Sequence, residues 1–131
     1  MKVKTRELTG AALDWAVALA EGFKPNQLYI SKYPQCPASI YTRTFDDDGN
    51  PDGYITGPDR LYSEKWEAGG PIIERERIVL DFDGNSWCAW CSTIKPSANY
   101  GQTALIAAMR CYVASKLGEE VEIPEELVRN G

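Results

Sequence analysis

The stretch that decides the fold is Thr103-Ala-Leu-Ile-Ala-Ala-Met-Arg-Cys-Tyr-Val-Ala-Ser-Lys-Leu-Gly118. It predicts a helix that begins after Thr103, whose hydroxyl suits an N-cap, and ends at Gly118, which tolerates a left-handed C-terminal residue. Nearly every side of this helix is apolar, and Arg110 is the only charge in its middle. A helix that is apolar all round must be covered on both sides, so we expect residues 104–117 to be sheltered from water.

A second helix is predicted from Gly10 to about Glu21. Thr9 stands at its N-cap position, and Gly22 suits its end. Its charged residues are Asp14 and Glu21, seven positions apart, so this helix also presents an apolar surface over most of its circumference.

The β structure centres on a hairpin. Ile78–Phe82 and Trp87–Thr93 have strand-like composition, and Asp83-Gly84-Asn85 between them is typical of a tight turn. Shorter strands are predicted at 28–30, 40–45 and 54–59, and an extended segment at 121–124. A helical turn is predicted at 64–68, ended by Gly69-Gly70-Pro71. We therefore expect one α+β domain over residues 1–131, with two mostly buried helices packed on a small antiparallel sheet.

The composition excludes several classes of function but does not indicate a specific one. The chain has 131 residues, a formal charge of −5 and no histidine. The missing histidine removes Ser-His-Asp and Cys-His catalysis and the commonest metal ligand. The charge opposes nucleic-acid binding, and the basic residues form no stripe. No apolar run is long enough for a membrane helix, and no secretory signal is visible, so we expect a cytoplasmic protein that binds neither nucleic acid nor membrane.

Arg110 is the first candidate for a special role. A partly buried guanidinium needs a carboxylate or several carbonyl oxygens. Asp14 is the predicted partner in a structural ion pair between the two helices, with Glu74 or Glu76 as the second choice. The functional alternative is an arginine that binds an anion in a pocket.

Two other motifs predict neither a metal nor a cofactor. Cys88-Ala89-Trp90-Cys91 is a C-x-x-C, but it falls in a predicted strand, where the two thiols would point to opposite sides, and no second knuckle accompanies it. The acidic run Asp46–Asp52 has Pro51 where a calcium-binding EF-hand loop needs glycine, so it is interpreted as a solvated turn.

The best surface-site candidate surrounds a tryptophan and a glycine pair. An aromatic next to Gly-Gly-Pro would let a ligand or another backbone approach closely. The predicted binding residues are Tyr62, Trp66, Gly69, Gly70, Glu74 and Arg110, and no catalytic residue is assigned. The structural alternative is that Trp66 only covers the core and the two glycines form a bend in the chain. Exposed members of the four Trp and seven Tyr residues would mark a protein-binding surface.

Three blocks of the chain resemble the NinX-like proteins of tailed bacteriophages. They are residues 1–5 with Leu8–Ala18, then Gly69–Glu76, then the long helix through Leu127. The chain departs at Ala104, where the family often has proline, a favoured first helical residue. The resemblance implies a phage origin and the cytoplasm of a host bacterium, and it supplies no catalytic residue.

These observations favour an accessory phage protein of a non-enzymatic kind. It would act by binding a protein, either a second copy of itself or a host or phage component. The alternative is a small-ligand-binding domain or a carboxylate-based enzyme with its pocket near Trp66, Gly70 and Arg110. A third hypothesis, mimicry of nucleic acid, would need rows of surface carboxylates.

Overall fold

The computed structural model describes residues 1–30, 40–55, 61–91 and 98–129. Within these ranges the helices are α1 (Gly10–Ala20), α2 (Trp66–Glu76), α3 (Ala104–Leu117) and α4 (Glu125–Arg129). The strands are β1 (Lys2–Lys4), β2 (Leu28–Ile30), β3 (Ile40–Phe45), β4 (Pro51–Ile55), β5 (Ile78–Phe82), β6 (Trp87–Cys91), β7 (Asn99–Gly101) and β8 (Glu120–Glu122). The fold is α+β, as the sequence predicts.

Antiparallel pairing joins the strands into three small sheets. Their orders are β1-β8, β2-β3-β4 and β5-β6-β7. The predicted hairpin is confirmed as β5 and β6, in which Ile78 pairs with Cys91 and Phe82 with Trp87. Residues 92 and 93 of the predicted second strand, and residues 56–59 of another, lie outside the described residues.

Helix α3 is the centre of the fold. Thr103 caps it through its side-chain oxygen, which accepts a 3.1 Å hydrogen bond from the backbone N–H of Ile106. The helix packs against α1, α2 and all three strands of the β5–β6–β7 sheet. Its buried residues are Ala104, Leu105, Ala107, Ala108, Met109, Cys111, Tyr112 and Val113. Residues 104–113 are sheltered apart from Ile106 and Arg110, which are half-buried. The expectation is wrong for the last turn, because Lys116 and Leu117 are exposed.

Helix α1 begins at the predicted residue and is buried from Ala12 to Ala18. Thr9 has the extended backbone of an N-cap, but its hydroxyl makes no capping bond. The Thr9 carbonyl oxygen instead accepts from Leu13 N at 3.3 Å. The cap position was therefore predicted correctly, and the hydroxyl bond expected there is absent.

Helix α2 corrects the prediction of a turn that stops at Gly69-Gly70-Pro71. The helix runs through all three residues and ends only at Glu76, where Arg77 adopts a left-handed conformation with φ of 55°. Packing explains why the local breakers are overridden, since Ala68, Gly69 and Ile72 are buried on the inner side of this helix. Tertiary burial outweighs the intrinsic helix cost of glycine and proline here.

The chain ends meet in a contact that the sequence did not predict. Strand β1 pairs with β8, with Val3 opposite Val121. Thr5 strengthens the junction, because its N–H donates to Glu119 O at 2.8 Å and its hydroxyl donates to Gly118 O at 2.7 Å. No helix among the described residues is long and apolar enough to span a membrane.

Candidate functional site

The six predicted binding residues do not come together. Trp66, Gly70 and Glu74 follow one another at helical spacing on the outward side of α2, and Trp66 is 57% exposed. Tyr62 is buried. Arg110 belongs to α3 and faces the start of α1 and strand β7.

Gly69 serves close packing and leaves no room for a ligand. A Cβ atom at this position would lie 2.6 Å from the carbonyl oxygen of Tyr62 and 2.8 Å from Cδ2 of Leu105. A Cβ on Gly70 would lie 3.7 Å from its nearest neighbour, a ring carbon of Trp66. The two glycines therefore differ in role. Gly69 lets α2 pack closely against α3, whereas a side chain at Gly70 would meet only ordinary van der Waals contacts.

The predicted Asp14–Arg110 ion pair does not form. Arg110 Nε donates to Leu8 O at 2.8 Å, and Nη1 donates to Tyr100 O at 2.6 Å. Among the described residues, its hydrogen-bond partners are thus backbone carbonyls, which satisfy the guanidinium without a second buried charge. Burial lowers the pKa of Arg110, and the arginine ties α3 to the start of α1 and to the edge of β7.

Asp14 has a different partner. Its Oδ1 accepts a 2.8 Å hydrogen bond from the backbone N–H of Ser63, and its side chain is almost wholly buried. Burial raises the pKa of Asp14 to about 7, although the donors of Ser63 act in the opposite direction. Ser63 Oγ is buried and has no hydrogen-bond partner of ordinary geometry among the described residues. The carboxyl joins α1 to the turn before α2.

A charged cluster that the sequence did not reveal joins three helices. Arg75 donates to Glu21 through Nη2 at 2.6 Å and to Glu76 through Nε at 2.9 Å. Tyr112 of α3 donates its hydroxyl to Glu21, and Arg75 Cζ lies 5.6 Å from the centre of its ring. Lys116 completes the cluster, 3.6 Å from Glu76.

The pKa shifts in this cluster describe a structural clamp. Burial opposes ionisation of Glu21, but the hydrogen bonds from Arg75 and Tyr112 outweigh it, and its pKa is lowered. Burial and the neighbouring Glu21 raise the pKa of Tyr112. A tyrosine whose proton is held more tightly is poorly suited to act as a general base.

The two cysteines of the C-x-x-C point to opposite faces of β6, as predicted. Cys91 Sγ donates a 3.3 Å hydrogen bond to the carbonyl oxygen of Glu76, the last residue of α2. Burial raises the pKa of Cys111 on α3 to about 11, and Cys91 adds to that shift. Burial also raises the pKa of Cys88. Cys36 lies outside the described residues, and among those that are described no cluster of metal-ligating side chains occurs.

The acidic run at Asp46 is a self-contained turn over the residues whose contacts are described. Asp46 Oδ1 accepts from the backbone N–H groups of Asp48 and Asn50 at 3.0 and 2.9 Å. A groove of about 400 Å³ lies elsewhere, between the chain ends and the start of β7. It is lined by Lys4, Thr5, Arg6, Ala98, Asn99, Ala114, Glu119 and Glu120, so both signs of charge face it.

The exposed aromatic residues of the central sheet form the strongest candidate. Strand register places Val79 opposite Trp90, Asp81 opposite Cys88, and Cys88 opposite Tyr100. Opposed residues share a side of a sheet, so these five side chains form one surface, which we call the outer face. The inner face packs on α3.

Apart from Asp81 the outer face is apolar, and it is partly open to solvent, although Cys88 is buried. Val79 is 38% exposed and Tyr100 53%, while Trp90 is half-buried between their strands. Asp81 is also exposed, and its Oδ1 accepts from Phe82 N at 2.9 Å. No cation pairs with it among the described residues. Clustered aromatic and aliphatic side chains of this kind are typical of protein-binding surfaces.

A family comparison adds the biological setting. The family model described as "Bacteriophage P22, NinX" matches residues 4–116. The chain belongs to this phage family. None of the curated proteins compared with the chain is similar to it.

The matched range of the NinX family covers α1, α2, the whole β5–β6–β7 sheet and all of α3 except its last residue. It therefore includes the outer face and both carbonyl partners of Arg110. Strand β8 and helix α4 follow the matched range. The sequence predicted the hairpin but not its outer face. The alternation of Val79 with Asp81 and of Cys88 with Trp90 could have indicated that face. The place of Tyr100 on it could not be inferred, because strand β7 was not predicted.

Proposed function

We propose that the chain is an accessory phage protein that acts by binding a protein in the cytoplasm of the host bacterium. The partner is a second copy of the chain or a host or phage component, and the binding surface is the outer face of the β5–β6–β7 sheet. Membership of the NinX family supports the phage setting. The net charge of −5 disfavours nucleic acid as the partner.

The observation that carries this proposal is the grouping of Val79, Trp90 and Tyr100 on one side of the central sheet. Helix α3 covers the inner side of this sheet. The opposite side of an antiparallel sheet is commonly polar, but here it carries these three apolar or aromatic side chains. Tyrosine and tryptophan anchor interfaces because they bury a large area with few rotatable bonds.

A small-ligand or enzymatic role near Trp66, Gly70 and Arg110 has less support. Such a role needs Arg110 to face a concave pocket with its guanidinium available. Both carbonyl bonds of Arg110 hold it against Leu8 and Tyr100 instead. The proposed interaction role requires no reacting group.

Two matched substitutions test where a partner binds. Tyr100→Ser removes an aromatic of the outer face, and Trp66→Ser removes an equally exposed aromatic of α2. Tagged wild-type and variant chains would be used to recover partners from infected cells, with thermal melting as the folding control. We expect Tyr100→Ser to lose the partner that wild type and Trp66→Ser retain. Loss with Trp66→Ser alone would move the site to α2 and contradict the proposal.

A further inference from the structure

Strand β5 lies at one edge of the three described strands of its sheet. At every second residue its backbone N–H and C=O groups point away from β6. The sheet order is β5-β6-β7. The hairpin closes with Asp83 N bonded to Ser86 O at 3.1 Å. Hydrogen-bonded and non-bonded pairs alternate along an antiparallel ladder, so Phe82, Leu80 and Ile78 direct their N–H and C=O groups away from β6.

Leu80 is the centre of this open edge. Phe82 N, at one end, is occupied by the Asp81 carboxylate. The backbone N–H and C=O of Leu80 have no hydrogen-bond partner among the described residues. Side chains beside them are open, with Val79 38% and Phe82 52% exposed. Unpaired edges of this kind recruit another strand.

We propose that β5 of a second copy of this chain pairs antiparallel with β5 about a two-fold axis at Leu80. The inference goes beyond the proposed function, because the contact uses the edge of β5 and leaves the outer face open. The product is a continuous six-stranded sheet that carries two outer faces side by side. An isologous contact of this type closes as a dimer and leaves the β5 edges covered.

Charge favours this register over the other symmetric ones. With the axis at Leu80, Val79 lies opposite Asp81 of the second copy, and Ile78 opposite Phe82. An axis at Asp81 would place two carboxylates face to face, which destabilises a cross-strand pair. An axis at Val79 would pair only Ile78 to Leu80, because α2 ends at Glu76 and Arg77 is left-handed. The Leu80 register alone uses all five residues of β5.

The Ile78–Phe82 pairing also gives Phe82 a new apolar neighbour. Phe82 contacts Trp87 in its own chain, with ring centres 5.3 Å apart, yet remains half exposed. Opposite Ile78 of the second copy, its ring would lie on the inner face beside another apolar side chain. Release of Phe82 N from Asp81 would let it join the ladder.

The sign of one charge tests the register. Val79→Asp would place a carboxylate opposite Asp81 of the second copy, and Val79→Lys would place an ammonium there. Both changes are polar at an exposed position of the monomer, so each controls for the other. We expect the dissociation constant from sedimentation velocity to rise at least about tenfold for Val79→Asp and to fall several-fold for Val79→Lys. High salt should reduce the gain from Val79→Lys.

The double variant Val79→Asp with Asp81→Lys separates register from general polarity. It restores opposite charges in the Leu80 register, so association should return toward the wild-type value. A wild-type dimer that all three variants leave unchanged would overturn β5 pairing. A wild type that stays monomeric at every concentration would overturn self-association, whereas the Tyr100→Ser and Trp66→Ser comparison would still decide whether another partner binds.

Discussion

Arg110 Nη1 lies 2.6 Å from the carbonyl oxygen of Tyr100, so the one charge in the middle of α3 holds β7 by its edge away from β6. The same guanidinium reaches Leu8 O through Nε, which joins α3 to the start of α1 as well. An arginine can serve two carbonyls in this way because its donors are fixed in one plane.

Arg110→Ala should therefore lower the free energy of unfolding by about 2 kcal/mol, because a half-buried charged donor group and two of its hydrogen bonds are lost. Arg110→Lys keeps the charge but offers one donor site at a time, and should lose about half as much. Urea denaturation measures both. An alanine variant as stable as wild type would show that the two carbonyl bonds contribute nothing.

Asp14→Asn tests the buried carboxyl. Its folded pKa of about 7 exceeds the ordinary value of 3.8, so the folded state holds this proton more tightly than the unfolded chain. Wild-type stability should therefore fall as pH rises from about 4 to about 7, by up to roughly 4 kcal/mol. Asparagine stays neutral, and it keeps an oxygen for Ser63 N.

The variant should accordingly match wild type near pH 4 and exceed it near pH 8, as measured by denaturation across that range. A difference that does not change with pH would show that Asp14 titrates in the folded state as it does in the unfolded chain. A variant weaker than wild type at pH 8 would show that the charged form of Asp14 stabilises the fold, contrary to this prediction.

The glycine pair of α2 provides a matched comparison. Gly69→Ala would force a methyl group against Tyr62 O and Leu105, which should cost about 1–3 kcal/mol. Gly70→Ala meets only ordinary contact distances, so it should gain roughly 0.5–1 kcal/mol from helix propensity. Thermal melting of both variants checks the prediction, and equal effects in the two would contradict the packing role of Gly69.

Glu21 and Arg75 are expected to be coupled, but weakly. Arg75 is half exposed, so solvent screens its bonds to Glu21, and a double-mutant cycle should give about 0.5–1 kcal/mol. High salt should reduce that coupling. A coupling that is absent at low salt would mean that the cluster does not help to hold α1 against α2.

The parts of the fold that the sequence predicted are those that local patterns specify. Helix α3 has a capping Thr103, a terminal Gly118 and apolar residues throughout, and the β5–β6 hairpin has a turn sequence between two strand-like runs. Such local signals can be recognised without knowing which element packs against the helix or the hairpin.

The errors arose where a distant residue decides the outcome. Helix α2 continues through Gly69 because Leu105 and Tyr62 pack against it, and no local rule contains that contact. The sequence pairs Arg110 with Asp14 because opposite charges can be read from a sequence, whereas the backbone carbonyl groups that bind Arg110 cannot. The pairing of β1 with β8 joins the two ends of the chain, which periodicity cannot reveal.

Protection of the Leu80 backbone amide tests the central claim most directly, because this group faces outward from β5 and has no hydrogen-bond partner among the described residues of a single chain. Amide hydrogen exchange should be measured in wild type at low and high protein concentration, with Val79→Asp as the control. We predict exchange that slows as wild-type concentration rises and stays fast in Val79→Asp. Equally fast exchange of the Leu80 amide at every concentration would contradict association through the central sheet edge.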